Sequence, residues 1–154
     1  MKKEIILNKR EEIQALQELL IYNADGINIE GDGKSIVHSD NFPLKHTFAD
    51  GIYIRQMDMK TGSIVVGAIH NHLHAWFLLT GHLAVVTEDT TEEFVSPCYV
   101  LATPGSKRVI YALEDSIFVN IHKNPDNIKD IKKLEDEIVS LTFEDYEKYI
   151  NKNR

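Results

Sequence analysis

The chain has 154 residues and a formal net charge of −7, with 43% hydrophobic and 27% charged residues. This length suffices for one hydrophobic core and hardly for two, so we expect residues 1–154 to form a single domain. The acidic balance argues against binding to nucleic acid or to anionic membranes, because both need a cationic surface. With one cysteine, no secretory signal and no apolar run of the ~20 residues that span a bilayer, we expect a cytoplasmic protein.

The first predicted element is a helix over about 9–22. Asn8 and Glu11 have the spacing of a capping box, and Gly26 lies beyond the helix end. The apolar residues at helical spacing are Ile13, Leu16, Leu19 and Leu20. Residues 27–122 then change to short β-branched or aromatic runs separated by turn signals such as Thr80-Gly81, which is typical of a β-sandwich or small barrel.

Helical patterns return after the β region, over about 125–150. Asn124 looks like an N-cap and Pro125 like the first residue of a helix. The apolar repeat that follows is formed by Ile128, Ile131, Leu134 and Ile138. Thr142 and Asp145 have the spacing to cap one more short helix. The predicted fold class is therefore mainly β, with one N-terminal helix and one or two C-terminal helices.

Three histidines, His70, His72 and His74, fall within five residues of a strand-like segment. On an extended strand, His70 and His72, or His72 and His74, share a face, whereas His70 and His74 lie ~13 Å apart unless the chain bends. Neutral imidazoles bind zinc, iron, nickel or copper. The spacing alone is equally compatible with surface histidines in a hairpin.

The same segment resembles the first motif of the cupin family, which runs from a glycine through His-x-His and a glutamate to a second glycine. Gly62 and Gly81 stand at the two ends, and His70 stands at the second ligand position. Ala68 replaces the first ligand, and His74 replaces the glutamate. Cupin chains turn between these ligands, so the resemblance implies that His70 and His74 form the pair, with His72 pointing elsewhere.

The second cupin motif, Gly to Pro-x-Gly, His and Asn, is degenerate in this chain. The corresponding residues are Pro97, Thr103, Gly105, Arg108 and Ala112. Only the glycine survives, and Arg108 replaces the histidine. In a cupin barrel the strand ending at His122 runs beside the first motif, so the resemblance implies a three-histidine site of His70, His74 and His122.

The resemblance covers about half of the chain, from Phe48 to His122, and extends to uncharacterised small cupin-like proteins of tailed phages. It implies a double-stranded β-helix barrel, a divalent transition metal (zinc, iron, nickel or manganese) and a homodimer. If the protein is phage-encoded, its compartment is the host cytoplasm.

Several further side chains are candidates for contact with a ligand. Alternation places Tyr53, Arg55 and Met57 on one face of a strand, and Arg55 or Arg108 could clamp a carboxylate or phosphate. Tyr111 could stack on a ring or donate one hydrogen bond. Two weaker candidates are His46 and His72. Each arginine is equally well explained as a surface residue paired with Glu88, Glu114 or Asp115.

Three functions remain open from the sequence. The first is a metal-dependent enzyme acting on a small, anionic molecule in the barrel cavity, with isomerase, lyase and oxygenase chemistry not distinguished. The second is a non-catalytic barrel that sequesters a small metabolite or nucleotide signal. The third is an interaction module that uses the barrel as a scaffold. No P-loop, dinucleotide fingerprint, Ser-His-Asp pattern or HExxH motif is present.

Overall fold

The computed structural model describes residues 2–22 and 43–154. It contains three helices in this part of the chain: α1 (Lys2–Tyr22), α2 (Ile131–Ile138) and α3 (Phe143–Lys152). The strands before the histidine turn are β1 (Leu44–Ala49), β2 (Ile52–Met59), β3 (Ile64–Val66) and β4 (Ile69–His70). The strands after it are β5 (His74–Thr80), β6 (His82–Val86), β7 (Thr91–Val95), β8 (Cys98–Ala102), β9 (Val109–Ala112), β10 (Ser116–Lys123) and β11 (Val139–Ser140).

Two antiparallel sheets face each other across the core. One has the order β1-β2-β10-β5-β8 and the other β3-β9-β6-β7, while β11 pairs with β4 in a separate two-stranded ladder. Buried apolar side chains fill the space between the sheets: Met57, Met59, Val65, Trp76, Leu78, Leu83, Val85, Ile110 and Phe118. These residues alternate with less buried ones along their strands, as one-sided burial requires. The predicted mainly β fold with helices at both ends is confirmed.

A glycine fixes the turn that leads from β5 into β6. Gly81 has φ of +96°, and a Cβ there would collide with Ser116 Oγ and with the Asp115 carbonyl oxygen. A residue with a side chain would need the strained left-handed backbone and would also push β10 away. The last glycine of the first motif therefore fixes the approach of β5 and β10, the strands that carry His74 and His122.

The structure corrects two helix boundaries. Helix α1 begins at Lys2, not near residue 9, because residues 2–8 contain no proline or glycine to stop it, so Asn8 lies inside the helix. Among residues 9–19 of this helix, Ile13 and Gln17 are buried, while Leu19 is 57% exposed. The predicted start of the β region at Ile27 lies outside the described residues.

The predicted helix start at Asn124-Pro125 is also wrong. The Asn124 side chain accepts a hydrogen bond from Ile128 N at 2.9 Å and donates one to Ile128 O at 2.8 Å, which holds this segment as a loop. Helix α2 begins six residues later, with Asp130 as its N-cap. Thr142 caps α3 as predicted, by accepting a hydrogen bond from Asp145 N. None of the described helices has the length and apolar character needed to cross a membrane.

Candidate metal centre

Three imidazoles meet at one end of the barrel. His70 ends β4, His74 begins β5, and His122 lies near the end of β10. The ring centroids of His70 and His74 are 4.0 Å apart, those of His74 and His122 are 4.8 Å apart, and one nitrogen of each of the three rings lies within 4.8 Å of the others. The chain bends between β4 and β5, which removes the ~13 Å separation that a straight strand would impose.

Hydrogen bonds from the C-terminal segment hold this bend. Asn71 N donates to Ile138 O at 2.8 Å, and Ser140 Oγ donates to Asn71 Oδ1 at 2.7 Å. Residues Val139 and Ser140 pair with His70 and Ile69 as strand β11. The backbone that presents His70 and His74 is therefore braced from outside the barrel by a two-residue strand that sequence patterns did not predict.

The environment favours neutral imidazoles. Burial, followed by the positive charge of Arg108, lowers the pKa of His74 to about 4. The same two causes hold the pKa of His70 well below its ordinary value, and burial does so for His122. Neutral imidazole is the form that binds a metal, because the coordinating nitrogen must carry a lone pair.

Two polar groups contact Nε2 of His74. Asn120 Oδ1, which can only accept, is 3.1 Å away, and the Arg108 guanidinium, which can only donate, is 3.4 Å away, so either tautomer of His74 makes one hydrogen bond there. Nδ1 is buried and has no hydrogen-bond partner among the described residues. A buried ring nitrogen without a partner is costly, and in the tautomer that leaves Nδ1 unprotonated a metal ion would satisfy it.

The donor set fits a divalent transition metal. Zinc–nitrogen bonds of about 2.0–2.1 Å place two ligand nitrogens about 3.3 Å apart in a tetrahedron, so the widest separation of 4.8 Å must close by roughly 1.5 Å. Side-chain rotation provides a movement of this size. Three protein ligands leave a position for water or another molecule.

A buried arginine lies against two of the three imidazoles. Arg108 is 6% exposed, and its guanidinium is 3.4 Å from His70 Nδ1 and 3.4 Å from His74 Nε2. Burial lowers its pKa to about 10, so it stays charged at neutral pH. Arg108 pairs with no carboxylate among residues 9–19 and 43–154, which leaves its charge available for an anion.

The second arginine has a carboxylate partner. Arg55 on β2 lies 3.4 Å from Glu135 Oε1 on α2, and both side chains are buried. Sequence reasoning missed Glu135, although a signal was present. Ile131, Leu134 and Ile138 form the apolar stripe of α2, and Glu135 occupies the remaining i+4 position of that stripe.

A narrow cavity of about 30 Å³ lies beside the cluster, with room for about two waters. Its polar lining comes from Arg55, His70, Arg108, Asn120 and Glu135. It has no space for a large molecule.

The other predicted residues lie farther from the cavity. Tyr53 is fully buried, and its hydroxyl is 2.8 Å from His46 Nδ1. Its ring stacks on the His122 ring, with centroids 5.9 Å apart, so Tyr53 helps to hold His122 in place. Tyr111 is 39% exposed and does not line the cavity. His72 points away from the cluster, with Nε2 3.0 Å from the Tyr149 hydroxyl.

Comparisons with known proteins support the fold. No protein-family model matches the sequence, and no curated protein does. The structure is similar to a Cupin 2 conserved barrel domain protein from Salinispora arenicola, with 13% identity, a TM-score of 0.50, and coverage of 65% of this chain and 90% of that one. It is also similar to the plu4264 protein from Photorhabdus luminescens, with 12% identity, a TM-score of 0.51, and coverage of 60% and 83%.

Proposed function

We propose that the chain, which has the cupin fold, binds a divalent transition metal through His70, His74 and His122. The metal would be zinc, iron, nickel or manganese, and a small anionic molecule would bind beside it. When bound, such a metal polarises an oxygen of the ligand or activates water. The observation that carries the proposal is the set of three imidazoles, one nitrogen of each lying within 4.8 Å of the others, with His74 Nδ1 buried and without a hydrogen-bond partner.

Arg108 is the proposed anchor for the anionic group. Both arginines line the cavity, but the charge of Arg55 faces Glu135, whereas the Arg108 guanidinium faces only imidazoles among its described polar contacts. A carboxylate or phosphate can accept two parallel hydrogen bonds from a guanidinium. An anion on Arg108 would therefore lie directly beside the metal ligands.

Elemental mass spectrometry on untagged protein tests the metal. We expect near one metal per chain, and His70→Ala, His74→Ala and His122→Ala each to lower zinc affinity by more than about tenfold in calorimetric titrations. His72→Ala is the matched control, because His72 belongs to the same segment and points away from the cluster. Circular dichroism must show that every variant is folded. Wild-type protein that takes up none of zinc, iron, nickel or manganese would overturn the proposal.

A second candidate function is binding of a small anion without a metal. The guanidinium of Arg108 lies 3.4 Å from two proposed ligands, and two like unit charges at about 4 Å repel by about 4 kcal/mol at an effective dielectric constant of 20. Calorimetry with inorganic phosphate on chelator-treated protein separates the two. Metal-free binding that is lost in Arg108→Gln and retained in His74→Ala favours this candidate. Phosphate binding that requires metal favours the first.

A further inference from the structure

A groove of about 400 Å³ has Arg108 in its lining. Arg108 lines both spaces. We propose that this groove holds the body of the ligand, and that the ligand is a zwitterion whose anionic group binds Arg108 and whose ammonium group binds Asp89 and Glu92. This inference rests on the proposed function, because it takes Arg108 as the anion anchor.

The deep wall of the groove is apolar. Trp76 and Phe94 meet edge to face with centroids 5.0 Å apart, and Val85 and Val100 lie beside them. These side chains come from both sheets, so the groove enters the barrel between β7 and β8. A short methylene chain gains free energy by covering this wall.

The rim of the groove is acidic. Of its three carboxylates, Glu88 is occupied by a two-point contact with Arg10 of α1, at 2.6 and 3.1 Å. Asp89 and Glu92 make no ion pair among residues 9–19 and 43–154, although the positive charge of Arg10 also acts on Asp89. The groove thus has a buried arginine without a carboxylate partner in its lining and two carboxylates without an ion pair at its rim.

The sheet register sets the spacing between these charges. Ile110 pairs with Val85, and Val85 pairs with Glu92, so Glu92 lies two strands from β9. Arg108 precedes Ile110 by two residues, on the same face. With strands ~4.8 Å apart and a rise of ~3.4 Å per residue, the Cα atoms of Arg108 and Glu92 are about 12 Å apart. A ligand that reaches both residues therefore needs a spacer between its anionic group and its ammonium group.

The charge pattern selects against other ligands. A molecule anionic at both ends would place one charge against Asp89 and Glu92, which repel it. A simple monoanion would satisfy Arg108 and leave the rim unused. An anion joined to an ammonium by a short methylene chain matches all three parts of the groove. Its anionic group contacts Arg108, its methylene groups cover the apolar wall, and its ammonium group contacts Asp89 and Glu92.

A matched pair of probes tests this inference. Calorimetry compares 3-aminopropylphosphonate with propylphosphonate, which differ only in the ammonium group. We expect wild-type protein to bind the amino compound at least about tenfold more tightly, as 1.4 kcal/mol of ion pairing would give. The double variant Asp89→Asn/Glu92→Gln should lose this preference and keep its affinity for propylphosphonate. Glu93→Gln is the control, because Glu93 contacts His82 and does not line the groove.

The outcomes separate this inference from the proposed function. Equal binding of both probes, lost in Arg108→Gln, would overturn the zwitterion and leave Arg108 as the anion anchor. If neither probe binds, or if binding is unchanged in folded Arg108→Gln, the anion anchor fails and the zwitterion fails with it. A preference for the amino compound that persists in the Asp89→Asn/Glu92→Gln variant would overturn the assignment of the rim.

Discussion

Asn120 is the residue that orients His74. Its Oδ1 lies 3.1 Å from His74 Nε2, and a hydrogen bond accepted there favours the tautomer whose Nδ1 is free to bind a metal. We expect Asn120→Ala to weaken zinc binding by about tenfold, because outer groups that fix a ligand's tautomer have effects of 10–100-fold. Asn120→Asp retains an acceptor and should restore the affinity. Calorimetric titration with zinc measures both. An Asn120→Ala affinity equal to wild type would contradict this role.

Lys107 gives the protein a predictable response to alkaline pH. Its side chain is fully buried, Nζ donates to Leu141 O at 2.7 Å, and burial lowers its pKa from 10.5 to about 8. Between pH 8 and 10.5 the unfolded chain holds a proton that the folded chain has released, so this residue's contribution to stability rises with pH. It is least favourable below pH 8.

The comparison with Lys107→Met isolates that contribution. Wild-type protein should gain up to about 3 kcal/mol of unfolding free energy relative to the variant between pH 8 and 10.5. Urea denaturation at several pH values measures the difference, and the other titrating groups cancel because both proteins contain them. A difference that does not change with pH would show that Lys107 stays protonated in the folded chain.

At the scale of elements, the turn between β5 and β6 sets the position of β10 against β5, the strand that carries His74. We expect Gly81→Ala to destabilise the fold by about 3–5 kcal/mol, because the added Cβ collides with residues 115 and 116 at a positive φ. Gly62→Ala is the matched control. Gly62 also has a positive φ, of 84°, but a Cβ there meets nothing within 4 Å, so its cost should be about 1 kcal/mol.

Denaturant unfolding of the two alanine variants gives both values. Equal losses would mean that backbone strain alone matters and that the contact with β10 is not limiting. Gly62 and Gly81 stand at the two ends of the first motif, so the comparison also shows which end contributes more to the free energy of unfolding.

Local rules predicted much of the fold and less of the site. Strand alternation placed Tyr53, Arg55 and Met57 on one face, and all three are buried. Thr142 was predictable because an N-cap is a local feature. The helix start predicted at Asn124-Pro125 was wrong because the residue types that begin helices also occur in turns and loops. Helix signals are read from neighbouring residues in the sequence. They fail at Asn124 because its side chain forms hydrogen bonds with the backbone of Ile128 and holds a loop.

The site needed information that sequence spacing does not contain. His122 reaches His74 because β10 pairs with β5, and only the family resemblance supplied that pairing. Glu135 arrives from outside the barrel, and its meeting with Arg55 joins positions 80 residues apart. Tyr111 was a reasonable candidate by residue type, but the register of β9 leaves it substantially exposed. Tertiary placement decided each of these cases.

At the scale of the whole molecule, one sheet face has an apolar surface at its edge. In the described part of the chain, strand β8 is an edge of the five-stranded sheet, and its Tyr99 and Leu101 are 68% and 64% exposed. Tyr99 packs on Phe77 of β5, and Leu79 extends the same surface. Contiguous apolar surface beside an open edge strand favours pairing with another chain.

We therefore expect a homodimer formed through β8 and this face. Light scattering coupled to size exclusion should give the mass of two chains for wild-type protein, and the mass of one chain for Leu101→Lys, because a buried lysine facing its symmetry mate costs far more than an exposed one. Tyr111→Lys is the control: it places the same charge at an exposed position on the other sheet and should remain dimeric. If Tyr111→Lys dissociates the dimer and Leu101→Lys does not, the interface lies on the four-stranded sheet. A monomeric wild-type protein would contradict the predicted dimer.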